Sequence, residues 1–362
     1  MTGLIRRHTL IPPHSDNLKT GDRMDILVKM KDKRTILVAA ILLLLSLMVL
    51  YIRGLPLINL GNTDILNIVA MDDPLYNLRQ IEQMVVNYPT YAWFEAMTLY
   101  PTGQLIPWGP MFNWITTTFT MLTGASTRSE IISAALWVPP IMAAVMVPVM
   151  FVLVRKVWNW KAGLLSAAFI AVVGGQFFFR SLAGYLDHHI AEVLFSTIFC
   201  LVYIYAIVYL REQRVDFKVK ETWTMPIVFS ALSGVAYVLG FLTMSTMILF
   251  AFIVALSTIV IFIVDFFHGK PSDYLLVLNT VTFGIAFVIS LVFSVLSGGI
   301  GEEFGLYLYS LAHPISYLFL IIGTVILYWL SHYLKDKNRL YFPASVIGLG
   351  IIAFLGLFVL LP

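Results

Sequence analysis

WGPMFNWITTTFTMLTG, Trp108 to Gly124, is nearly apolar enough to be a membrane span and too polar to be an ordinary one. It holds Asn113 and the threonines Thr116, Thr117, Thr118 and Thr120, and Pro107 and Pro110 bracket its start. Nine other apolar runs are clearer: 35–52, 131–154, 161–179, 190–210, 224–240, 246–264, 275–296, 314–333 and 341–361. A hydrocarbon core is crossed by roughly 17 to 25 residues rising about 1.5 Å each. Lipid offers no partners to backbone N–H and C=O groups, so these runs are read as helices. Whether 108–124 is a tenth span decides the sidedness of everything after it.

Charge decides the question. If 108–124 does not cross, the side holding the N-terminus carries 19 Lys or Arg and the other side keeps four, Arg53, Arg79, Arg128 and Arg180. If it crosses, the partition becomes 10 against 13. Cytoplasmic loops are the ones enriched in Lys and Arg. The segment is therefore expected as a helix in or on the outer leaflet, within one long external connection, 53–130. The other external connections are then 180–189 and 297–313. Acids follow the same division, with Asp64, Asp72, Asp73, Glu82, Glu95, Glu130, Asp187, Glu192, Glu302 and Glu303 all external. Trp93, Trp108 and Trp114 outside, with Trp158, Trp160 and Trp223 inside, suit two interfacial aromatic belts, although core packing explains some of them equally well.

Composition bounds the class. Of 362 residues 59% are hydrophobic and 12% charged, against about 25% charged in soluble domains. The expected fold is an all-α polytopic bundle of about nine transmembrane helices, whose long first external loop contains amphipathic helices. Residues 1–34 carry eight Lys or Arg and form a basic cytoplasmic segment, and 35–362 form the transmembrane domain. No small-residue cleavage site separates the first run from Arg53, so that run reads as an uncleaved anchor. The lone cysteine, Cys200, lies in an apolar run, which excludes an internal disulfide and a cysteine-based metal site. The net charge of +3 is concentrated on the cytoplasmic side, and no nucleic-acid partner is expected.

Three external stretches can carry chemistry. In MDDPLYNLR (71–79), Asp73 and Pro74 open an amphipathic helix; an N-cap is the plain reading, and an anion drawn to the helix start is the functional one. In RSLAGYLDHH (180–189), Asp187 and His189 fall at i and i+2, which share a side in an extended loop and can chelate one divalent cation. An N-cap role for Asp187 is the plain alternative. Mixed oxygen and imidazole ligands suit Mn²⁺ at least as well as Mg²⁺. In SGGIGEEFG (297–305), Glu302 and Glu303 sit in a glycine-rich turn, and a flexible acidic loop is the plain reading.

These stretches, together with WFEAMTLYPTGQLIPWGP (93–110), resemble the catalytic subunit of oligosaccharyltransferases, particularly its archaeal members, lipid-dependent glycosyltransferases of the GT-C fold. The resemblance extends over essentially the whole chain. It implies transfer of an oligosaccharide from a polyprenyl (dolichyl) (di)phosphate carrier to asparagine in Asn-x-Ser/Thr acceptors, at the external face of a multi-pass protein of the cell membrane. It implies that Asp73 contacts metal and acceptor amide, and that Asp187 and His189 bind the metal in an archaeal D-x-H form. Glu302 matches the glutamate of a T-I-x-E motif with Gly in place of Thr, and Glu303 is its rival. Arg180 is a candidate for the donor phosphates; Arg79 and His188 are further candidates. The family's soluble W-W-D-Y-G domain, which reads the acceptor Ser or Thr, is expected to be absent, so a partner supplying it is expected. Two other readings stay open: a GT-C transferase acting on a hydroxyl acceptor, and a transporter or non-catalytic membrane subunit. Transporters place ionisable residues near the bilayer midplane, whereas these runs hold almost none.

Overall fold

The computed structural model describes residues 33–212, 219–301 and 304–360, with side chains to 356. Most of the basic segment 1–34, and both Glu302 and Glu303, lie outside the described residues. Two compact units are distinguished, Met1–Leu44 and Leu45–Pro362. The described part of the first is the opening of helix α1, Lys33–Ile58, where Ile36, Leu37, Leu43 and Leu44 are exposed as a lipid-facing surface requires.

The second unit continues α1 and then builds the long connection. It comprises α2 (Asp73–Asn87), an antiparallel pair β1 (Phe94–Glu95) and β2 (Gln104–Leu105), and α3 (Met111–Leu122). With 12 residues, α3 extends about 18 Å, well short of the roughly 30 Å hydrocarbon core. It is neither among the helices long and apolar enough to cross a membrane nor among the shorter apolar ones, which agrees with a non-spanning segment at 108–124. Helix α4 (Arg128–Leu136) leads through Trp137 into α5 (Val138–Val157). A capping box of Thr127 and Glu130 starts α4, and Pro139 and Pro140 fall in the first turn of α5, where missing N–H groups cost nothing.

The run at 161–179 is not one helix. Asn159 caps α6 (Trp160–Val172), accepting from the N–H groups of Lys161 and Ala162, both at 3.0 Å. The helix then ends at Gly174 and Gly175, and Gly175 takes a left-handed φ of 72° before the short α7 (Gln176–Phe179). Hydropathy is blind to this break, because glycine is apolar enough to pass. The remaining helices are α8 (His189–Leu210), α9 (Thr224–Phe241), α10 (Ile248–Phe267), α11 (Asp273–Leu296), α12 (Ala312–Leu334) and α13 (Tyr341–Leu360). Among the described residues seven helical stretches are long and apolar enough to cross a membrane, and the shorter Trp160–Val172 and Tyr341–Gly356 fall on the other two expected runs. The chain is a multi-pass membrane protein.

Aromatic side chains fill the bundle: Phe199 on α8, Tyr237 and Phe241 on α9, Phe283 on α11 and Tyr317 on α12 are fully or almost fully buried. Asn279 of α11 sits at a polar crossing, accepting from the Tyr203 hydroxyl at 2.5 Å and donating to Thr258 at 2.9 Å and Thr324 at 3.2 Å. One satisfied amide thus joins four helices where no water could replace those bonds. The spans are less free of charge than their hydropathy suggests, since α1 continues past residue 52 and α10 past 264. They enclose Arg53 and Asp265, both at 0% exposure, and Asp265 is paired with Arg211. Core packing accounts for part of the external tryptophan set: Trp108 is buried, and the half-buried Trp93 and Trp114 pack edge-on against Phe293.

Candidate metal and active centre

The loop 180–188 is held in place from two sides. Arg53 of α1 donates from Nε to the Ser181 hydroxyl at 2.6 Å and from Nη1 to the Ala171 carbonyl at 3.2 Å, with its guanidinium 5.4 and 5.2 Å from the Phe177 and Phe178 rings. Its own carbonyl accepts from Ala183 N–H at 2.8 Å. On the other side, Ala70 N–H donates to the Gly184 carbonyl at 2.8 Å. Gly184 has φ 114°, and a Cβ there would stand 2.3 Å from the Ile68 carbonyl oxygen. This crossing brings the residues before Asp73 against the residues before Asp187.

Neither aspartate is the N-cap its plain reading required. Asp72, with φ 81° and no side-chain capping bond, precedes α2, so Asp73 is its first residue and Pro74 its second. The residue before α8 is His188, again without a side-chain cap. Nor is the loop extended there: His188 has φ −66° and ψ −18°, a helical turn that draws Asp187, His188 and His189 together rather than only i and i+2. The ligand atoms of these three residues lie within 4.8 Å of one another.

Asp187 is fully buried. Oδ2 accepts from Arg180 Nη1 at 2.5 Å and lies 3.8 Å from His189 Nε2; Oδ1 lies 3.0 Å from His188 Nδ1. Burial opposes ionisation of Asp187, but His188, His189 and Arg180 together outweigh it and hold its carboxyl below the usual range. Asp73 is half-buried, and burial first, then the Asp187 charge, raise its carboxyl above the ordinary value. Asp73 is near enough to feel the cluster electrostatically, though it stands outside the tight trio.

The residues of the trio fit a divalent cation. Asp187 Oδ1 and His188 Nδ1 face each other at 3.0 Å without good hydrogen-bond alignment, and among the described residues the buried Nε2 of His188 has no hydrogen-bond partner, which is costly unless something else engages it. Ligands about 2.0 to 2.2 Å from one ion are at most about 4.4 Å apart, close to the observed spread. His189 is oriented for the same purpose: Nδ1 lies 3.1 Å from Glu192 Oε2, and Glu192 Oε1 accepts from Thr246 at 2.6 Å. Burial opposes protonation of this imidazole, but the Glu192 hydrogen bond and the Asp187 charge outweigh it and raise it above its ordinary value; a cation bound at Nε2 would require the ring neutral, with its proton on Nδ1.

Trp108 stacks over His188 with centroids 5.0 Å apart and 20° between planes. Gln80 Oε1 on α2 accepts from Trp108 Nε1 at 3.3 Å and from Asn113 Nδ2 at 2.6 Å. Gly109 donates to the Thr243 carbonyl at 3.0 Å, an approach open only to glycine, since a Cβ would meet Leu242 O at 2.0 Å. The 108–124 stretch therefore reaches the cluster through Trp108. Arg79 is paired with Glu95 at 3.2 Å. Sequence reasoning missed Glu192, Trp108 and Arg53 as parts of the site. Glu192 had a signal, since it lies three residues from His189 on one helix face, and Trp108 lay in the 93–110 stretch that carries the resemblance; Arg53 had none.

A multi-pass helical membrane protein with a buried carboxylate–imidazole cluster is the class that this fold and site define. Residues 60–360 match the family model of the oligosaccharyl transferase STT3 N-terminal region, and the chain belongs to that family. It is 30% identical over 125 residues to dolichyl-phosphooligosaccharide-protein glycotransferase 3 of Archaeoglobus fulgidus, covering 34% of this chain and 14% of that protein. It is 24% identical over 297 residues to the dolichyl-monophosphooligosaccharide–protein glycotransferase AglB of Haloferax volcanii, covering 78% and 28%. The fold is that of the A. fulgidus oligosaccharyltransferase in its apo form, with a TM-score of 0.74 at 23% identity, over 92% of this chain and 38% of that one. The A. fulgidus protein has also been solved with zinc and sulfate, with a tethered acceptor peptide containing an NVT sequon, and with an inhibitory peptide and a dolichol-phosphate. The chain thus spans well under half the length of these relatives.

Proposed function

We propose that this chain is the membrane-embedded catalytic region of a transferase that moves an oligosaccharide from a polyprenyl (dolichyl) (di)phosphate carrier to the side-chain amide of asparagine. The observation that carries the proposal is the crossing at Gly184, which sets Asp73 beside a cation-fitting Asp187, His188 and His189 in a chain of this family. The A. fulgidus complexes with zinc and sulfate, with peptide and with dolichol-phosphate support taking a cation, a phosphate and a peptide as ligands here. Asp187 and the histidines would hold Mn²⁺ or Mg²⁺, with Mn²⁺ favoured by imidazole ligation. When bound, the cation supplies neutralisation of the departing phosphate.

The protein's own groups supply the rest. An amide nitrogen is a weak nucleophile because its lone pair is delocalised into the carbonyl. Asp73, and Glu302 by family resemblance, accept its N–H hydrogens and orient it toward the sugar. Arg180, already held 2.5 Å from Asp187, is placed to engage donor phosphate as well. The charge partition supports a site on the external face of the cell membrane, with residues 1–34 in the cytoplasm. Reading of the acceptor Ser or Thr is assigned to a soluble domain distinct from the membrane region.

The test is glycopeptide formation by membranes containing the protein, supplied with dolichyl-linked oligosaccharide and an Asn-x-Thr peptide. Transfer is expected to stop with EDTA, to return with Mn²⁺, and to fall at least about a hundredfold in Asp187→Ala, as loss of a metal ligand implies. Undiminished transfer in EDTA would overturn the proposal.

A further inference from the structure

The bundle has a second built feature, far from the Asp187 cluster. Helix α10 starts beside Thr246, whose hydroxyl donates to Glu192, and runs 20 residues to Phe267, about 30 Å away. At that far end a cavity of about 290 Å³ is walled by Phe262 and Phe266 and rimmed by Lys270, His332, Lys335 and Arg339. Of the acids near it, Asp336 follows Lys335 in sequence, and the other two lie against other groups. Asp265 pairs with Arg211, and Asp273 Oδ1 lies 3.3 Å from His332 Nε2. Among the described residues none of Lys270, Lys335 and Arg339 is paired with a carboxylate; Arg339 Nη1 donates to the Phe267 carbonyl at 3.1 Å. Three cations therefore line one concavity with no carboxylate paired to any of them among the described residues.

The depth of the cavity says what fills it. On α12, Trp329 and Tyr333 stack with centroids 5.3 Å apart while 61% and 57% exposed, one turn from His332 and Lys335. Exposed aromatic pairs of this kind mark the headgroup level of a membrane. The cavity has a cationic rim at that level, and Phe262 and Phe266 of α10 give it an apolar wall. We infer that it binds the phosphate headgroup of an anionic membrane lipid, at the face of the membrane opposite the transfer centre. A basic pocket between helix ends is the form such sites take. A soluble polyphosphate shares the chemistry but would leave the apolar wall unused, so a lipid is the occupant.

The test is native mass spectrometry of the whole chain in detergent, titrated with phosphatidylglycerol or phosphatidylcholine of matched acyl chains. The wild type is expected to retain phosphatidylglycerol in preference, by roughly fivefold or more given three nearby cations. The preference is expected to vanish in K270Q/K335Q/R339Q and to survive in K270R/K335R and in K156Q/K161Q, which removes two of the three basic charges at the turn between α5 and α6. An unchanged thermal midpoint of the triple variant separates lost binding from lost fold. Equal retention of both lipids by the wild type, preference persisting in the triple variant, or displacement by millimolar inorganic diphosphate would each overturn the inference.

Discussion

His189 illustrates how a single residue is prepared. Its ring is useful because Glu192 takes one nitrogen and Thr246 fixes Glu192, so the other nitrogen faces Asp187 without searching rotamers. Glu192→Gln keeps the size and loses the charge that orients the ring. It is expected to weaken Mn²⁺ binding about 10- to 100-fold, measured by titration with paramagnetic resonance detection of free Mn²⁺. An affinity within twofold of wild type would mean that Glu192 has no such role. Gly184 makes a second residue-scale case, because its φ of 114° and the Ile68 carbonyl 2.3 Å from any Cβ leave no alternative residue. Gly184→Ala is expected to cost on the order of 1–3 kcal/mol in stability and to weaken Mn²⁺ binding by displacing Asp187. A thermal midpoint equal to wild type would show that the crossing is slack.

At the scale of elements, what was legible was periodicity and charge; what was not was where helices break or continue. The hydropathy of 161–179 runs smoothly through Gly174 and Gly175, yet the turn there frees α7 and the loop to reach Arg53. Arg53 ends an apolar run on paper, while in the fold it is a buried bracket between α1 and residues 171–183. Only a tertiary contact determines that, so no local pattern could reveal it. Arg53→Met removes two hydrogen bonds and two ring contacts. It is expected to lower stability by roughly 1–3 kcal/mol in detergent unfolding, with Arg53→Lys recovering only part, because an ammonium lacks the fork. Full recovery by lysine would leave charge alone as the explanation. The DHH motif was legible as a ligand source, but its helical turn, which adds His188 to the pair at 187 and 189, was not.

For the whole molecule, the non-spanning character of 108–124 is the point on which sidedness rests. The short α3 agrees with the 19-to-4 charge partition. Arg128, exposed and 2.7 Å from Glu82, lies just beyond α3. Arg128→Cys is expected to react with an impermeant maleimide added outside intact cells; reaction only after permeabilisation would invert the topology and place the centre in the cytoplasm. The centre itself is tested most directly by locating Mn²⁺ through its anomalous scattering in crystals of the full-length protein. A single strong peak is expected about 2.0–2.3 Å from carboxylate oxygen of Asp187 and imidazole nitrogen of His189, lost in Asp187→Asn. A peak remote from these residues, or none at saturating Mn²⁺, would contradict the assignment of this cluster as the metal centre.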